Sequence, residues 1–489
     1  MGLDLLEQIR SWGQRVPHRV AHSSGARTLS HGELLARSDA LAEYLERSLP
    51  PSEAPIALVG HKEPELLIGF LGCAKAGRAY VPIDHTLPAA RIERIVATAR
   101  PALVLTPAEV ALRSTGDARP TSRPENPHSP HYIMFTSGST GDPKGVPITR
   151  GNLVHFLEWM LAEHPFRGGA EVFLNQTLFS FDVSHMDTYL SLMTGGTLVS
   201  LSHDDIADPR RLFRVLAQSG ISVWVSTPTF AAMCLVEPTF NRRLLPALRR
   251  FLFCGEALPA RTAAALLDRF PEAEVWNTYG PTEATIACTA IRIDRTVLAR
   301  YPTLPIGYAM RGSRVFVVDQ YHGVVPAGQR GEILIVGPNV SPGYLHRPDL
   351  TVRSFMPFEG EPAYRTGDWG HEQDGLLFWD GRMDNQIKLH GHRIEPEDIE
   401  AHLCSLPGVL GAAVLPATRG DRVAWLTAYV QLAEGVPGSD SERVAWLRKS
   451  LLDQLPAYML PRHFRFLSAF PMTPNGKIDR RSLAGVPTG

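Results

Sequence analysis

Apolar positions along this chain alternate between two periods, and that alternation sets the expected architecture. Residues 3–49 carry helical spacing around a short strand pair that ends in LSHGEL, residues 29–34. IALVG (56–60), FLGCAKAGRAYVPID (70–84) and PALVLTP (101–107) then alternate strand and helix signals, as expected of a parallel sheet whose strands are joined by helical crossovers. Pro120, Pro124, Pro127 and Pro130 interrupt residues 116–130, which reads as an exposed connection between two sheets. The alternation resumes with a helix over 152–163, EVFLNQ (171–176), a helix through Tyr189, TLVSL (197–201), a helix from Pro209, VWVSTP (223–228) and RRFLFCG (249–255). In such a layer the loops at the carboxyl ends of the strands bind ligands. Between 305 and 379 the pattern shortens to β-rich runs, SRVFVVD and GEILIVG among them, divided by Gly and Pro, and predicts a small β subdomain.

Past Asp384 the composition shifts again, and DIEAHLCSL (398–406) and SERVAWLRKSLLDQL (441–455) supply the helices of a compact α+β unit. The expected fold class is therefore α/β. Residues 1–383 form a large region of two doubly wound α/β subdomains plus a small β subdomain, and residues 384–489 form a smaller α+β domain. No internal repeat or low-complexity tract suggests a solenoid or scaffold.

Length and composition narrow the function. At 489 residues with 44% hydrophobic content the chain is too long for one core and rich enough to bury several. A formal charge of −1 gives nucleic acid or an anionic membrane no electrostatic hold. The first seventeen residues are an amphipathic pattern with acidic positions rather than a signal peptide, and no apolar run is long enough to span a bilayer. Cys73, Cys234, Cys254, Cys288 and Cys404 include no CxxC pair, which argues against a zinc site or a disulfide scaffold and for a reducing, cytoplasmic setting.

Only six of the 49 basic residues are lysine: Lys62, Lys75, Lys144, Lys388, Lys449 and Lys477. Where a generic surface cation suffices the chain uses arginine, so each lysine marks a place that needs a compact ammonium. Lys144 closes FTSGSTGDPKG, residues 135–145, a run with the hydroxyls of Thr136, Ser137, Ser139 and Thr140 directly after an apolar strand. Hydroxyls, bare backbone amides and an ammonium suit polyphosphate. Pro143 before the lysine and Gly145 after it exclude a Walker A loop.

Four further motifs follow in order: YGPTEAT (279–285), YRTGD (364–368), GRMDNQIKLHGHRIEPEDIE (381–400) and NGKIDR (475–480). Together the five resemble the motif set of adenylate-forming enzymes over the whole chain. Within that superfamily FSFDVSHMD, STPTF, FLFCGEALP and LPAYMLP are similar to stand-alone amino-acid adenylation domains, the D-alanine:carrier-protein ligases above all. The resemblance implies ATP and Mg²⁺ as cofactors, a small amino acid as substrate and a phosphopantetheinylated carrier protein as acceptor. No LGGxS-type serine follows Lys477, so the carrier is expected in trans.

By the same resemblance Thr136, Ser137, Gly138, Ser139, Thr140 and Lys144 hold the phosphates, and Glu283 ligates the metal. Asn277, Thr278, Tyr279, Gly280 and Thr282 line the nucleotide, and Asp368 and Arg382 meet the ribose. Lys477 is the implied catalytic lysine, carried by a mobile C-terminal domain with its hinge at Asp384. Asp182 is the implied partner of the substrate ammonium, which fatty-acyl and aryl ligases do not need. Val183, Met186, Val225, Cys254, Thr278 and Ile286 are the implied lining of the side-chain pocket. Met and Cys there leave room for little more than a methyl group. Val183 and His185 depart from the D-alanine ligases, which carry a larger aliphatic and an apolar residue there. L-Alanine, glycine, serine and proline thus stay open, beside an acyl-CoA synthetase and, from another class, a non-catalytic adenylate sensor.

Overall fold

The computed structural model describes residues 3–116, 126–137, 142–389, 392–419, 422–472 and 478–484. Contacts gather the chain into two compact units. The first comprises Met1–Asp84, Ala99–Phe135 and Gly145–Met383, and the second His85–Thr98, Thr136–Lys144 and Asp384–Gly489.

The first unit is built on two α/β sheets. One has nine strands in the order Tyr308–Ala309, Thr289–Ile293, Glu274–Tyr279, Arg250–Phe253, Val223–Ser226, Val172–Asn175, Thr197–Ser200, Val20–Ser24 and Arg27–Ser30. Its five central strands, from Glu274–Tyr279 to Thr197–Ser200, are mutually parallel. The other has five strands, Leu103–Leu105, Ile56–Gly60, Tyr80–Asp84, Pro130–Thr136 and Lys144–Thr149 in that order. Two placements differ from what chain order suggests. The strand pair of residues 20–30 joins the nine-stranded sheet, where Val20–Ser24 pairs in parallel with Thr197–Ser200. Tyr308–Ala309, inside the stretch read as the β subdomain, pairs instead with Thr289–Ile293 at the same sheet's edge. The first partner lies far along the chain, beyond any local pattern, and the second is the preceding strand, on the other side of the boundary read at Pro305.

Helices start where capping residues stand. Asp4 accepts from the Glu7 N–H at the head of Leu5–Arg15, and Ser30 with Glu33 and Thr149 with Asn152 form reciprocal capping boxes on His31–Ser48 and Arg150–Glu163. Leu5–Arg15 buries Leu5, Ile9 and Trp12 on one stripe. Val183–Thr194 is buried all round, so its polar residues must find partners inside the protein. The β subdomain is an antiparallel sheet of Arg314–Val318, Gly331–Val336, Glu361–Gln373 and Phe355–Phe358, and Leu376–Arg382 pairs onto Glu361–Gln373 with Asp368 opposite Arg382.

In the second unit Val409–Arg419, Arg422–Leu432 and His463–Phe466 form a three-stranded sheet, beside the hairpin Ile387–Leu389 and His392–Ile394. Helices Pro396–Cys404 and Asp440–Leu452 close a core of Ile394, Ile399, Leu403, Val430, Leu447 and Leu451. Arg91 reaches the buried Asp398 of this unit at 3.2 Å. Among the described residues no helix is long and apolar enough to cross a membrane.

Candidate functional site

The carboxyl ends of three neighbouring parallel strands carry Val225, Cys254 and Asn277–Thr278–Tyr279 to one edge of the nine-stranded sheet. Register aligns Val225 with Leu252 and Phe253 with Asn277. The Thr278 hydroxyl donates to the Phe253 carbonyl at 2.8 Å, tying adjacent strand ends. Asn277 is buried, and its amide N–H donates to the Pro305 carbonyl at 2.8 Å.

Tyr279 reaches out of the sheet to the β subdomain, where its hydroxyl donates to Asp368 Oδ2 at 2.6 Å. Burial, and after it the Asp368 charge, keeps that phenol protonated well above its ordinary range. The other oxygen of Asp368 accepts from Trp379 Nε1 at 2.9 Å and from Arg382 Nη1 at 3.2 Å. Arg382 also donates to the Thr366 carbonyl at 2.8 Å. A buried carboxylate supported by three donors is held in one orientation with its charge compensated. Trp379 has no place in the motif-based expectation. Its position three residues before Arg382, on the same strand, is the signal that points to it.

After Tyr279 the chain turns sharply. A Cβ at Gly280 would lie 2.5 Å from Ala287 Cα, so only glycine fits. Thr282–Ala284 forms a single 3₁₀ turn with Glu283 fully buried, and Tyr344 donates its hydroxyl to Glu283 Oε1 at 2.7 Å. The next two residues, Thr285 and Ile286, hold left-handed backbone at φ 61° and 68°, a conformation that β-branched residues adopt only when their surroundings enforce it. Asn339 enforces it here. Its Nδ2 donates to the Ala284 carbonyl at 3.1 Å, its own carbonyl accepts from Thr285 Oγ1 at 2.7 Å, and Ser313 anchors its Oδ1 at 2.6 Å. The turn brings the Ile286 carbonyl to the Cys254 thiol at 3.5 Å.

The residues expected at the amino-acid end belong to one apolar cluster with Tyr279: Val183, Met186, Val225, Cys254 and Ile286 are each buried within it. Asp182 precedes the helix Val183–Thr194 and is half-buried, and its side chain does not cap the helix. Its charge is felt by the buried Tyr132 phenol, whose ionisation is opposed first by burial and then by Asp182. His185 is 1% exposed and packs against Tyr132, Tyr80 and Phe70 with ring centroids 4.4, 5.8 and 6.0 Å apart. Burial pulls its pKa down to about 3, so it is a neutral packing residue.

Thr136, Ser137 and Lys144 belong to the second unit. There Ser137 donates to the Arg393 carbonyl at 2.9 Å, and the Lys144 ammonium stands 3.9 Å from Glu395. Asp384 begins the last segment of that unit, and its Oδ1 accepts from the Gln386 N–H at 3.1 Å. Gly138, Ser139, Thr140 and Lys477 lie outside the described residues.

Family models agree with this architecture in both parts of the chain: residues 9–345 match the AMP-binding enzyme family and residues 398–477 its C-terminal domain. The chain belongs to the AMP-binding enzymes. Among curated relatives, the D-alanine--D-alanyl carrier protein ligases of Bacillus mycoides (strain KBAB4) and Bacillus cereus (strain AH187) are each 44% identical to it, with 98% of this chain and 99% of theirs aligned. The fold matches the Vibrio cholerae adenylation domain AlmE, solved with glycyl-adenosine-5'-phosphate, at a TM-score of 0.85 and 21% identity over 99% of this chain and 98% of that one. It also matches PA1221, a nonribosomal peptide synthetase protein with adenylation and PCP domains, at a TM-score of 0.82 and 25% identity, covering 98% and 83%.

Proposed function

We propose that this chain activates D-alanine with ATP as the aminoacyl-adenylate and transfers it to the phosphopantetheine thiol of a separate carrier protein. The observation that carries this reading is the 44% identity, end to end, with ligases named for D-alanine and its carrier protein. In the first half-reaction a carboxylate oxygen bonds to the α-phosphorus and pyrophosphate leaves. In the second the carrier's thiol adds to the acyl carbonyl and AMP leaves. Positioning and charge neutralisation supply the rate, because two anions must meet and no side chain need become a nucleophile.

Each residue then has a task. Asp368, held by Tyr279, Trp379 and Arg382, accepts from the ribose hydroxyls. The Tyr279 ring and Asn277 face adenine, with Thr278, Gly280 and Thr282 beside them. Thr136, Ser137, Gly138, Ser139, Thr140 and Lys144 take the phosphates. Asp182 pairs with the substrate ammonium, which needs an anion to offset its desolvation, and Lys477 meets the reacting oxygens. Glu283 suits Mg²⁺, since a buried carboxylate with one oxygen already fixed by Tyr344 is the kind of single protein ligand such an ion uses when phosphates supply the rest. The ion would neutralise phosphate charge. ATP as co-substrate places the reaction in the cytoplasm.

Val183 favours a second reading within the same class, a slightly different small amino acid, because it is the departure that is itself one of the residues proposed to line the side-chain pocket, whereas His185 is a neutral ring packed among Tyr132, Tyr80 and Phe70. ATP–pyrophosphate exchange over a panel of D- and L-amino acids decides between them, with D-alanine expected to give the highest kcat/KM. Loading of holo-carrier against coenzyme A then tests the acceptor. Exchange independent of any amino acid, or faster loading of coenzyme A, would overturn the proposal.

A further inference from the structure

Lys62 is one of the six lysines and belongs to none of the motifs. It is 2% exposed, inside the first unit. Its ammonium meets four oxygens: Asn175 O at 3.1 Å, Asn175 Oδ1 at 2.6 Å, Gln176 O at 3.1 Å and Thr177 O at 2.6 Å. It also lies 5.5 Å from the centre of the Phe179 ring. All these partners are the end of strand Val172–Asn175 and the start of the loop that delivers Asp182 to the head of Val183–Thr194. Asn175 links the far side of that loop, donating to Asp187 Oδ1 at 3.0 Å, and Ser200 fixes its Oδ1 at 2.8 Å.

We infer that Lys62 is a positioning residue for amino-acid recognition: its ammonium gathers the carbonyls of residues 175–177 and thereby sets where the Asp182 carboxylate stands. The inference rests on the proposed role of Asp182. Three successive main-chain carbonyls pointing at one nitrogen would repel one another without a cation between them, and a compact ammonium suits oxygens arriving from several directions better than a planar guanidinium does. The charge is expensive to keep there. Burial pulls the Lys62 pKa down to about 7 against the opposing charges of Asp187 and Asp84. Four acceptors around one nitrogen favour the protonated form, because a neutral amine has only two hydrogens to donate.

The test is Lys62→Met in the full-length enzyme, which replaces the cation with an apolar chain of similar length. The KM for D-alanine is expected to rise about tenfold or more, while the KM for ATP and kcat at saturating D-alanine stay within about threefold. Preference for D-alanine over propionate, which lacks the ammonium, should fall in parallel. An unchanged D-alanine KM, or equal rises in both KM values, would overturn the inference. Asp182→Ala, measured alongside, separates the two readings. If it still activates D-alanine normally, the role of Asp182 is wrong; if it is inactive while Lys62→Met is normal, only the role of Lys62 is wrong. Should Lys62→Met fail to fold, Lys62→Gln keeps two N–H donors without a buried charge and should show the same selective rise. Failure of both to fold would make the lysine structural and refute a positioning role.

Discussion

Asp182 and Lys477 are the residues on which activity is expected to hinge, for opposite reasons. In the proposed mechanism Asp182 pairs with the substrate ammonium and its removal strands that charge, so Asp182→Ala should abolish amino-acid-dependent pyrophosphate exchange. Comparable turnover of alanine in that variant would place the pocket elsewhere. Lys477 is proposed to act on charge that develops only in the transition state. Lys477→Ala should leave both substrate KM values within several-fold while slowing adenylate formation by roughly two to four orders of magnitude, measured by single turnover. An effect confined to KM would remove it from the chemistry. Both assignments come from the motifs that carry the family resemblance, FSFDVSHMD and NGKIDR. Tyr344 was not legible in the sequence, since it lies outside the motifs and meets its partner Glu283 only in the folded chain.

The element between Tyr279 and Cys288 stores strain in two left-handed β-branched residues, and the Asn339 side chain is what holds the carbonyl just before them. Asn339→Ala would leave the Ala284 carbonyl and the Ser313 hydroxyl without that partner inside the protein, a cost of about 1–3 kcal/mol. Because the relaxed turn also carries Glu283, the KM for Mg–ATP should rise several-fold in the same variant. Urea unfolding and an ATP titration check both, and a fully stable variant with parental KM would show that the strain is held elsewhere. The turn itself was visible in YGPTEAT as a glycine-proline break. Its handedness was not, because β-branched residues do not favour positive φ, and contacts made in the folded chain, those from Asn339 among them, hold Thr285 and Ile286 there.

At the scale of the whole molecule, acid should unfold the protein through its buried histidines. Burial lowers His22, His164 and His185 from 6.5 to about 3. Below pH 6.5 the unfolded chain gains protons that the folded chain refuses, so stability is lost as pH falls toward 3, by about 1.4 kcal/mol per pH unit for each histidine. Neither ring nitrogen of His164 has a hydrogen-bond partner among the described residues, and the ring packs edge-on to Trp276 at 4.5 Å. His164→Phe should therefore be about neutral at pH 7.5 and more stable than the parent at pH 5 by about 2 kcal/mol, read from urea midpoints. A parallel pH dependence in the two proteins would refute it. In the proposed mechanism Lys477 and a carrier's thiol approach one carbonyl in turn, so a rotation at Asp384 is expected between the two half-reactions. Asp384→Pro fixes φ and removes the N–H, and should preserve pyrophosphate exchange while impairing carrier loading. Equal loss in both assays would indicate misfolding, and normal loading would exclude a hinge there.

Alternation of periods two and 3.6 determined the α/β class, the β-rich stretch before residue 379 and the helices of the C-terminal region, because side-chain periodicity is a local property of the chain. Motif order likewise pointed to the AMP-binding family, which the family models and relatives show, because phosphate and ribose recognition need particular side chains at short spacings. Tertiary structure alone decided that residues 20–30 and 308–309 would edge the nine-stranded sheet, because strand pairing satisfies backbone groups regardless of distance along the chain. It alone also decided the use of Lys62. The scarcity of lysine marks Lys62 as a place for a compact ammonium, but GHKEP names no partner for it, and only folding surrounds it with the carbonyls of residues 175–177, where an unpaired ammonium could not remain.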